Sequence, residues 1–522
     1  MSRIPLPRRP APGKNRNGPR RLVPFATVGL GLAALLRRIA AARSHVSETE
    51  DDYRDSRHRV LILGGGFGGT TIARELGRHY PNSHDVTILV VDRSTNLLYT
   101  PLLWTVADGR VNANHVSVSL RGLQNGSPFH FLQADVQHID LDHKVVGTSA
   151  GPRPYDTLVI GLGSVTSIPD LPGLRAHARR FATPGDALEL RNHLIDAVEA
   201  AHRSRNAPER AEWLTFVVGG GGDTGVELAA TIHEYLTSGL LAAYPWLADE
   251  QPRVIVAGRN DRLIPMSTPA TSESVRKILE REGIEVLTGT SILSASDTEV
   301  VTNNGSIPAR TLFWAAGISA VPVVQHLPIG HARNGSIVVD DHLRIPEYPE
   351  VFALGDSAWA FSADSGTGVP PTAQASQSQG RYVADLIRRR IEVDLSPTQP
   401  YSFRTRGRLA LLGRSTGVAE IGGRVVTGFP AWLLWHGYYI TAIPSWRNRV
   451  RLLGDLLISA LSGRETTQLQ LNPRPVPDSD PAPPVAPVAP VAEPGRSTAA
   501  NGTDAGETAS DAAPAAPTVR LS

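Results

Sequence analysis

Residues 60–69 read Val-Leu-Ile-Leu-Gly-Gly-Gly-Phe-Gly-Gly, and this stretch decides the fold. The four apolar residues predict a buried strand, and Gly64, Gly66 and Gly69 then match the pattern G-x-G-x-x-G. Glycines at this spacing permit a tight turn, a close backbone approach to a pyrophosphate and close packing of a helix on the strand. A helix predicted over residues 70–76 would present its free N–H groups to the phosphates.

The surroundings of this turn support the same interpretation. A second predicted strand, residues 86–91, ends at Asp92, where a carboxylate can accept hydrogen bonds from ribose hydroxyls. An isolated G-x-G-x-x-G is weak evidence, but here the strand, turn, helix and acid follow one another in the required order. The alternative is a glycine-rich turn in an unrelated α/β domain.

The pattern recurs in the middle of the chain. An apolar strand at residues 216–218 leads into Gly220, Gly222 and Gly225, and a helix is predicted over residues 226–235. Short β-branched runs alternate with helical stretches across most of the sequence, which is typical of α/β architecture. The sequence therefore predicts two Rossmann-like dinucleotide-binding domains and two bound nucleotides.

Composition narrows the chemistry. The 522 residues are too many for one ordinary core, and a net charge of +2 gives no electrostatic reason to expect nucleic acid as a partner. The sequence has no cysteine, which excludes disulfides, thiolate metal sites, iron–sulfur clusters and redox-active thiols. Its histidines show no ligand spacing, so no metal is predicted.

Both ends of the chain differ from its centre. Residues 22–36 are apolar, but this run falls short of the ~20 residues that cross a bilayer comfortably. An interfacial anchor is the preferred interpretation, with a cleaved signal or a packed helix as alternatives. From residue 473 the chain is rich in Pro and Ala and is expected to form a solvated tail of unassigned function.

Further segments complete a recognisable order. They are Tyr-Asp-Thr-Leu-Val-Ile-Gly-Leu-Gly-Ser at 155–164, Thr-Gly-Val-Glu-Leu-Ala at 224–229, Gly-Asp at 355–356, Pro-Pro-Thr-Ala-Gln at 370–374 and a Trp-rich block at 412–449. With the two glycine turns, they resemble the two-dinucleotide-binding-domain flavoproteins of the pyridine nucleotide-disulfide reductase type. Within that family the chain most resembles type II NADH:quinone oxidoreductases, over roughly residues 58–470.

The resemblance implies an NAD(P)-binding domain inserted into an FAD-binding domain, followed by an amphipathic helical region that associates with a membrane. The implied limits are 1–56 for an N-terminal extension, 57–185 and 321–395 for the two parts of the FAD domain, 186–320 for the NAD(P) domain, 396–470 for the membrane-associating region and 471–522 for the tail.

The resemblance also implies cofactor contacts. Those to FAD are Gly64, Gly66, Phe67, Gly68, Gly69, Asp92, Val136, Gly163, Gly355, Asp356 and Ala373. Those to the nicotinamide nucleotide are Gly220, Gly222, Thr224, Gly225, Gly258, Arg259 and Gly317. Asp223 stands where the family usually has proline, and the sequence does not explain a negative charge beside a pyrophosphate.

Type II enzymes pass hydride from nicotinamide to flavin and then two electrons to quinone, without proton pumping. Glu227, Gln374 and Gln379 match family residues near the nicotinamide and the quinone, but Ser378 replaces the first glutamine of a family pair. Without cysteines, the flavin must reduce a diffusible acceptor directly: quinone, dioxygen or a protein carrier. Alternatives to a quinone reductase are an NAD(P)H oxidase, a carrier reductase and a redox-sensing flavoprotein.

The sequence also bears on which nucleotide is used. NADH-using relatives have a glutamate where this chain has Gly258, and Arg259 follows. An acid there binds the ribose 2′-hydroxyl, whereas its loss and a nearby guanidinium accommodate a 2′-phosphate. NADPH use or dual specificity is therefore predicted, with a solvent-facing Arg259 as the alternative.

The Trp-rich block suggests where the enzyme works. Residues 430–443 are apolar with several aromatic rings, and residues 447–458 mix arginines with leucines. Each run is too short to span a bilayer, so peripheral association with the cytoplasmic face of the cell membrane is expected. The alternative is a helix pair packed against the flavin domain or a homodimer partner. His436 is expected to be an interfacial histidine, with a proton carrier that faces the quinone as the alternative.

Overall fold

The computed structural model describes residues 53, 56–81, 85–124, 127–240, 243–394 and 396–469. The expected anchor at residues 22–36 and the proline-rich tail from residue 473 lie outside these ranges. The strands are, in chain order, β1 (His58–Leu63), β2 (Val86–Asp92), β3 (Asn96–Leu98), β4 (Ser117–Ser119), β5 (His130–Gln133), β6 (Val136–Asp140), β7 (Val145–Thr148), β8 (Gly151–Pro154), β9 (Thr157–Ile160), β10 (Ser164–Thr166), β11 (Ala178–Arg179), β12 (Thr215–Gly219), β13 (Arg253–Ala257), β14 (Glu285–Leu287), β15 (Ile292–Ala295), β16 (Glu299–Thr302), β17 (Gly305–Pro308), β18 (Thr311–Trp314), β19 (Ile318–Ala320), β20 (Ile337–Val338), β21 (Arg344–Ile345), β22 (Tyr348–Ala353), β23 (Ala358–Trp359), β24 (Arg408–Leu411), β25 (Gly417–Ile421) and β26 (Arg424–Gly428).

The helices are α1 (Phe67–His79), α2 (Leu103–Ala107), α3 (Leu120–Leu123), α4 (Leu174–His177), α5 (Pro184–Arg203), α6 (Ala207–Trp213), α7 (Asp223–Glu234), α8 (Leu247–Glu250), α9 (Pro269–Arg281), α10 (Pro322–Gln325), α11 (Ala373–Ile391), α12 (Phe429–Ala442) and α13 (Trp446–Ser462). A π-helical turn, Tyr235–Gly239, continues α7.

The first large sheet has the order β21-β22-β9-β1-β2-β5. Strand β1 pairs in parallel with β2 on one side and with β9 on the other. The chain therefore reverses its direction of travel across the sheet at β1, and the crevice beyond the carboxyl end of such a strand is where open α/β sheets bind ligands. Because β1 is covered on both faces, its Val60, Leu61, Ile62 and Leu63 are fully buried.

A second parallel sheet, in the order β11-β18-β12-β13-β14, forms from residues between β9 and β22 of the first. Strand β12 occupies in it the central position that β1 occupies in the first sheet. The chain thus leaves the first sheet, builds the second and returns. The predicted fold class, one dinucleotide-binding domain inserted into another, is confirmed.

Both glycine turns join strand and helix by contacts that only glycine permits. A Cβ on Gly69 would lie 2.0 Å from the carbonyl oxygen of Gly64, and one on Gly225 would lie 1.7 Å from that of Gly220. The helices begin earlier than predicted: α1 begins at Phe67 rather than residue 70, and α7 begins at Asp223 rather than residue 226. The last glycine of each turn thus lies in the first helical turn.

The C-terminal part departs from the sequence expectation, which foresaw helices alone. Strands β24, β25 and β26 form an antiparallel sheet before α12 and α13. Helix α12 packs mainly on this sheet. Among the described residues, none of the helices is long and apolar enough to cross a membrane.

Gly69→Ala tests the strand–helix contact. The added methyl group collides with the Gly64 carbonyl and crowds the Ile62 side chain of β1. Helix α1 must therefore move away from β1, and we expect the free energy of unfolding to fall by about 1–3 kcal/mol. Thermal denaturation of the purified protein measures this. Gly185→Ala is the matched control, because a Cβ there lies 3.6 Å from its nearest neighbour, the Thr183 hydroxyl. Equal melting temperatures for the two variants would contradict the account.

Candidate active site

The first glycine turn forms an open cradle at the end of β1. A Cβ on Gly66, or on Gly163 at the end of β9, would meet no atom within 4 Å. Asp92, at the end of β2, accepts hydrogen bonds from the N–H groups of Gly65 (2.6 Å) and Ser94 (2.7 Å). Burial raises the pKa of Asp92, and these two N–H groups oppose the shift. The carboxylate is therefore held rigidly beside the cradle.

A second carboxylate lies at the same edge of the first sheet, two strands away from β1. Asp356, just after β22, accepts a hydrogen bond from the Ser164 hydroxyl at 2.7 Å, and burial raises its pKa. Gly355 donates its N–H to the side-chain oxygen of Gln379 at 2.8 Å. Gln379 is buried, so it orients the turn that carries Asp356. Ala373 begins the helix on which Gln379 lies.

These residues fit a flavin dinucleotide. The cradle is bare of side chains at Gly66, as the approach of a pyrophosphate requires. Phe67 and Tyr99 make an edge-to-face contact, 5.1 Å between ring centroids, beside the start of α1. Val136 follows the segment whose Ala134 N–H donates to the carbonyl of Asp92. The predicted contacts Gly68 and Gly69 lie in the first turn of α1.

The second glycine turn, Gly220 to Gly225, forms a second cradle that borders a cavity of about 530 Å³. The predicted residues Gly220, Gly222, Arg259 and Gly317 line it, together with Gly219, Gly221, Ala257, Asn260, Thr290, Ser291, Trp314 and neighbouring residues. None of the residues lining this cavity is a carboxylate. Gly258 is buried against the turn, where its Cβ would lie 3.2 Å from the Gly221 backbone. Thr224 and Gly225 lie in the first turn of α7.

Glu227 lies one turn further along α7, in an apolar pocket. Its carboxyl group accepts a hydrogen bond from the N–H of Leu411 in β24 at 2.9 Å. Burial raises the pKa of Glu227 to about 8; the Leu411 N–H lowers it, and Asp223 raises it. The buried indole N–H groups of Trp435 and Trp104 face the carboxyl group and also lower its pKa.

His436 lies behind this pocket. Its Nδ1 is 3.0 Å from the Trp432 carbonyl, and its buried Nε2 has no hydrogen-bond partner. Burial lowers the pKa of His436 to about 4. The expectation of an interfacial histidine is wrong, because α12 turns this residue inward beside Trp435.

The three predicted catalytic residues occupy different places. Glu227 lies beside the second cradle, Gln379 supports the turn at Asp356, and Gln374 accepts the N–H of Arg406 at 2.8 Å, just before β24. Sequence reasoning missed Trp104 and Leu411. Trp104 directly follows Leu-Tyr-Thr-Pro-Leu-Leu at 98–103, a further segment that carries the family resemblance, and could have been found there. The contact from Leu411 is made by backbone and has no side-chain signature.

Comparisons with known proteins agree with this geometry. The family model described as pyridine nucleotide-disulphide oxidoreductase matches residues 58–380, and the one described as the NDH2 C-terminal domain matches residues 406–465. The type II NADH:quinone oxidoreductase Ndh of Mycobacterium tuberculosis is 30% identical over 423 residues, covering 78% of this chain and 89% of the relative. The related protein NdhA of the same organism is 29% identical over 444 residues, covering 82% of this chain and 92% of the relative.

A solved structure shares the fold. The structure of NDH2 from Plasmodium falciparum in complex with NADH superposes with a TM-score of 0.71 at 18% identity, covering 79% of this chain and 100% of that one. Two glycine cradles, an aromatic C-terminal region and these matches lead to one conclusion. The chain belongs to the pyridine nucleotide-disulphide oxidoreductase family and, within it, to the type II NADH:quinone oxidoreductases, which are FAD-dependent NAD(P)H dehydrogenases.

Proposed function

We propose that the protein oxidises NADPH or NADH at its second cradle and passes the two electrons to a membrane quinone, without pumping protons. Bound FAD supplies the chemistry by accepting a hydride and handing on two electrons. The observation that carries the proposal is the placement of Glu227, a buried acid between the nucleotide-binding helix α7 and the C-terminal strand β24. Glu227 thus connects the nucleotide-binding domain to the C-terminal region that characterises type II enzymes.

The residues of the chain divide the work. Gly64, Gly66 and Gly69 with α1 would hold the pyrophosphate of FAD. Asp92 would accept its ribose hydroxyls, and Asp356 would contact its ribityl or pyrophosphate portion. Gly220, Gly222 and Gly225 with α7 hold the nicotinamide nucleotide. Burial keeps Glu227 protonated near neutral pH, although the N–H groups of Leu411, Trp435 and Trp104 oppose this by lowering its pKa. Glu227 can therefore give a proton to a reduced acceptor.

The surface of α12 and α13 supports a membrane-bound acceptor. Helix α13 exposes large apolar side chains along one stripe: Trp446, Val450, Leu453, Leu457 and Leu461. Helix α12 adds exposed Phe429, Leu433 and Leu434, while its Trp435 faces Glu227 and its His436 is buried. An exposed apolar stripe bordered by arginines favours the plane of a membrane surface. We propose peripheral binding to the cytoplasmic face, where reduced nicotinamide nucleotides are made.

The acceptor is tested by half-reactions under argon. The FAD-loaded enzyme is first reduced with one equivalent of NADPH and then mixed with a short-chain quinone in a stopped-flow instrument. We expect rapid reoxidation of the flavin by the quinone and much slower reoxidation by dissolved dioxygen. Equal rates with both oxidants would favour an oxidase, and reduced flavin that persists with quinone would favour a redox sensor.

Glu227→Gln tests the proton donor. Because Glu227 is protonated below a pKa of about 8, the rate of quinone reduction should fall as pH rises through that value. In the variant, this rate should be lower by about tenfold or more and should lose that pH dependence. Flavin reduction by NADPH should keep its pH profile. Glu282→Gln, in an exposed position, serves as the control, and an unchanged profile in Glu227→Gln would refute the role.

Arg259→Gln tests the choice of nucleotide. Arg259 is exposed on a cavity rim that has no carboxylate, so it is available to a 2′-phosphate. We expect the KM for NADPH to rise about tenfold, equivalent to about 1.4 kcal/mol, with little change in the KM for NADH. Steady-state kinetics with both nucleotides measure this, with Arg281→Gln on the exposed end of α9 as the control. A wild-type preference for NADH above about tenfold contradicts the assignment.

A further inference from the structure

An ion pair lies at the mouth of the second cradle. Asp223 is the first residue of α7, and its carboxylate is 3.3 Å from a terminal nitrogen, Nη1, of Arg408. Arg408 is the first residue of β24, so it reaches the nucleotide-binding helix from the C-terminal sheet. Arg408 is therefore a partner for Asp223 that the sequence alone did not reveal.

The position of Asp223 is unfavourable for an anion-binding turn. The N–H groups of the first helical turn have no partners within the helix, and together with the helix dipole they attract a pyrophosphate. The N-cap Gly222 contributes no side chain. A carboxylate at the first helical position is attracted by the same N–H groups and helix dipole, and it repels the phosphates. Without a nearby cation, Asp223 would weaken nucleotide binding.

Arg408 is held loosely enough to move. Its bond to Asp223 is long, and the same nitrogen, Nη1, makes a second long hydrogen bond of 3.4 Å to the hydroxyl of Ser267. Across the sheet it faces Glu420, whose carboxylate already accepts hydrogen bonds from Thr268 and Thr271. Asp223 is also more than half exposed, so the pair is open to exchange.

The backbone of β24 is fixed independently of the Arg408 side chain. Three residues along the strand, the N–H of Leu411 is bonded to Glu227, one helical turn beyond Asp223. Strand β24 thus lies along the start of α7 and is fixed at its far end. A rotation of the Arg408 side chain needs no movement of either element.

We propose that Arg408 is a positioning residue that exchanges partners, binding Asp223 when the second cradle is empty and the pyrophosphate of the nicotinamide nucleotide when it is occupied. Asp223 then serves as the alternative partner that draws Arg408 away and speeds release of the oxidised nucleotide. The inference rests on the proposed binding of NAD(P)H at this cradle and adds how that binding is controlled. It also gives Asp223 a function in place of the family's proline.

Equilibrium binding of NADP⁺ to the FAD-loaded enzyme tests the exchange without turnover. Calorimetric titration gives Kd, and displacement in a stopped-flow instrument gives the dissociation rate. Asp223→Asn removes the competitor, so Kd and the dissociation rate should both fall about fivefold. Arg408→Gln removes the cation and leaves the carboxylate, so Kd should rise about tenfold and depend less on salt.

The double variant and a matched pair complete the test. With Arg408→Gln present, Asp223→Asn should still lower Kd, because the repulsion remains to be relieved. Arg404, on the same C-terminal segment, forms a separate exposed ion pair with Asp364, and Arg404→Gln should leave Kd unchanged. If both Asp223→Asn and Arg408→Gln leave Kd and the dissociation rate unchanged while altering only thermal stability, the exchange is refuted. If the wild type binds no NADP⁺ or NAD⁺, the proposed function fails instead.

Discussion

The architecture depends on a close approach between two backbone segments, strand and helix, that occurs once in each glycine turn. In each cradle the last glycine of the turn lies against the carbonyl of the first, with no room for a Cβ between them. This contact brings the start of a helix directly onto the end of a central strand, at the point where the sheet changes direction. Free N–H groups and the positive end of the helix dipole then face the crevice. The negative charge of a bound dinucleotide would thus be balanced mainly by backbone N–H groups and the helix dipole.

The C-terminal sheet acts on the second cradle through strand β24. The N–H of Leu411 fixes the carboxyl group of Glu227, and Arg408 neutralises Asp223 one turn earlier. The same C-terminal region presents its aromatic and apolar stripe on α12 and α13. In the function we propose, this one short strand joins nucleotide binding to the acceptor side and lets a buried acid on α7 serve chemistry at the C-terminal region.

Most of the fold and of the candidate site could be predicted from local sequence patterns. The cradles could be predicted because glycine spacing, apolar strands and Asp92 all lie within short segments. The helix starts were misplaced because glycine has a low helix propensity, whereas packing on β1 and β12 overrides it. The antiparallel sheet β24–β26 was missed because its strands are short and one lies between glycines. The burial of His436 could not be predicted, since residues far away in the sequence, such as Trp104 and Glu227, surround its neighbour Trp435.

The central claim is that each chain holds two different dinucleotides at two separate cradles. The most direct measurement is binding stoichiometry: FAD released by acid from gently purified protein, and NADP⁺ bound in a titration of that same protein. The account predicts one FAD per chain and one further site for NADP⁺ that excess FAD does not block. Protein that carries no flavin and takes up none when offered it, or a single site for which the two nucleotides compete, would contradict it.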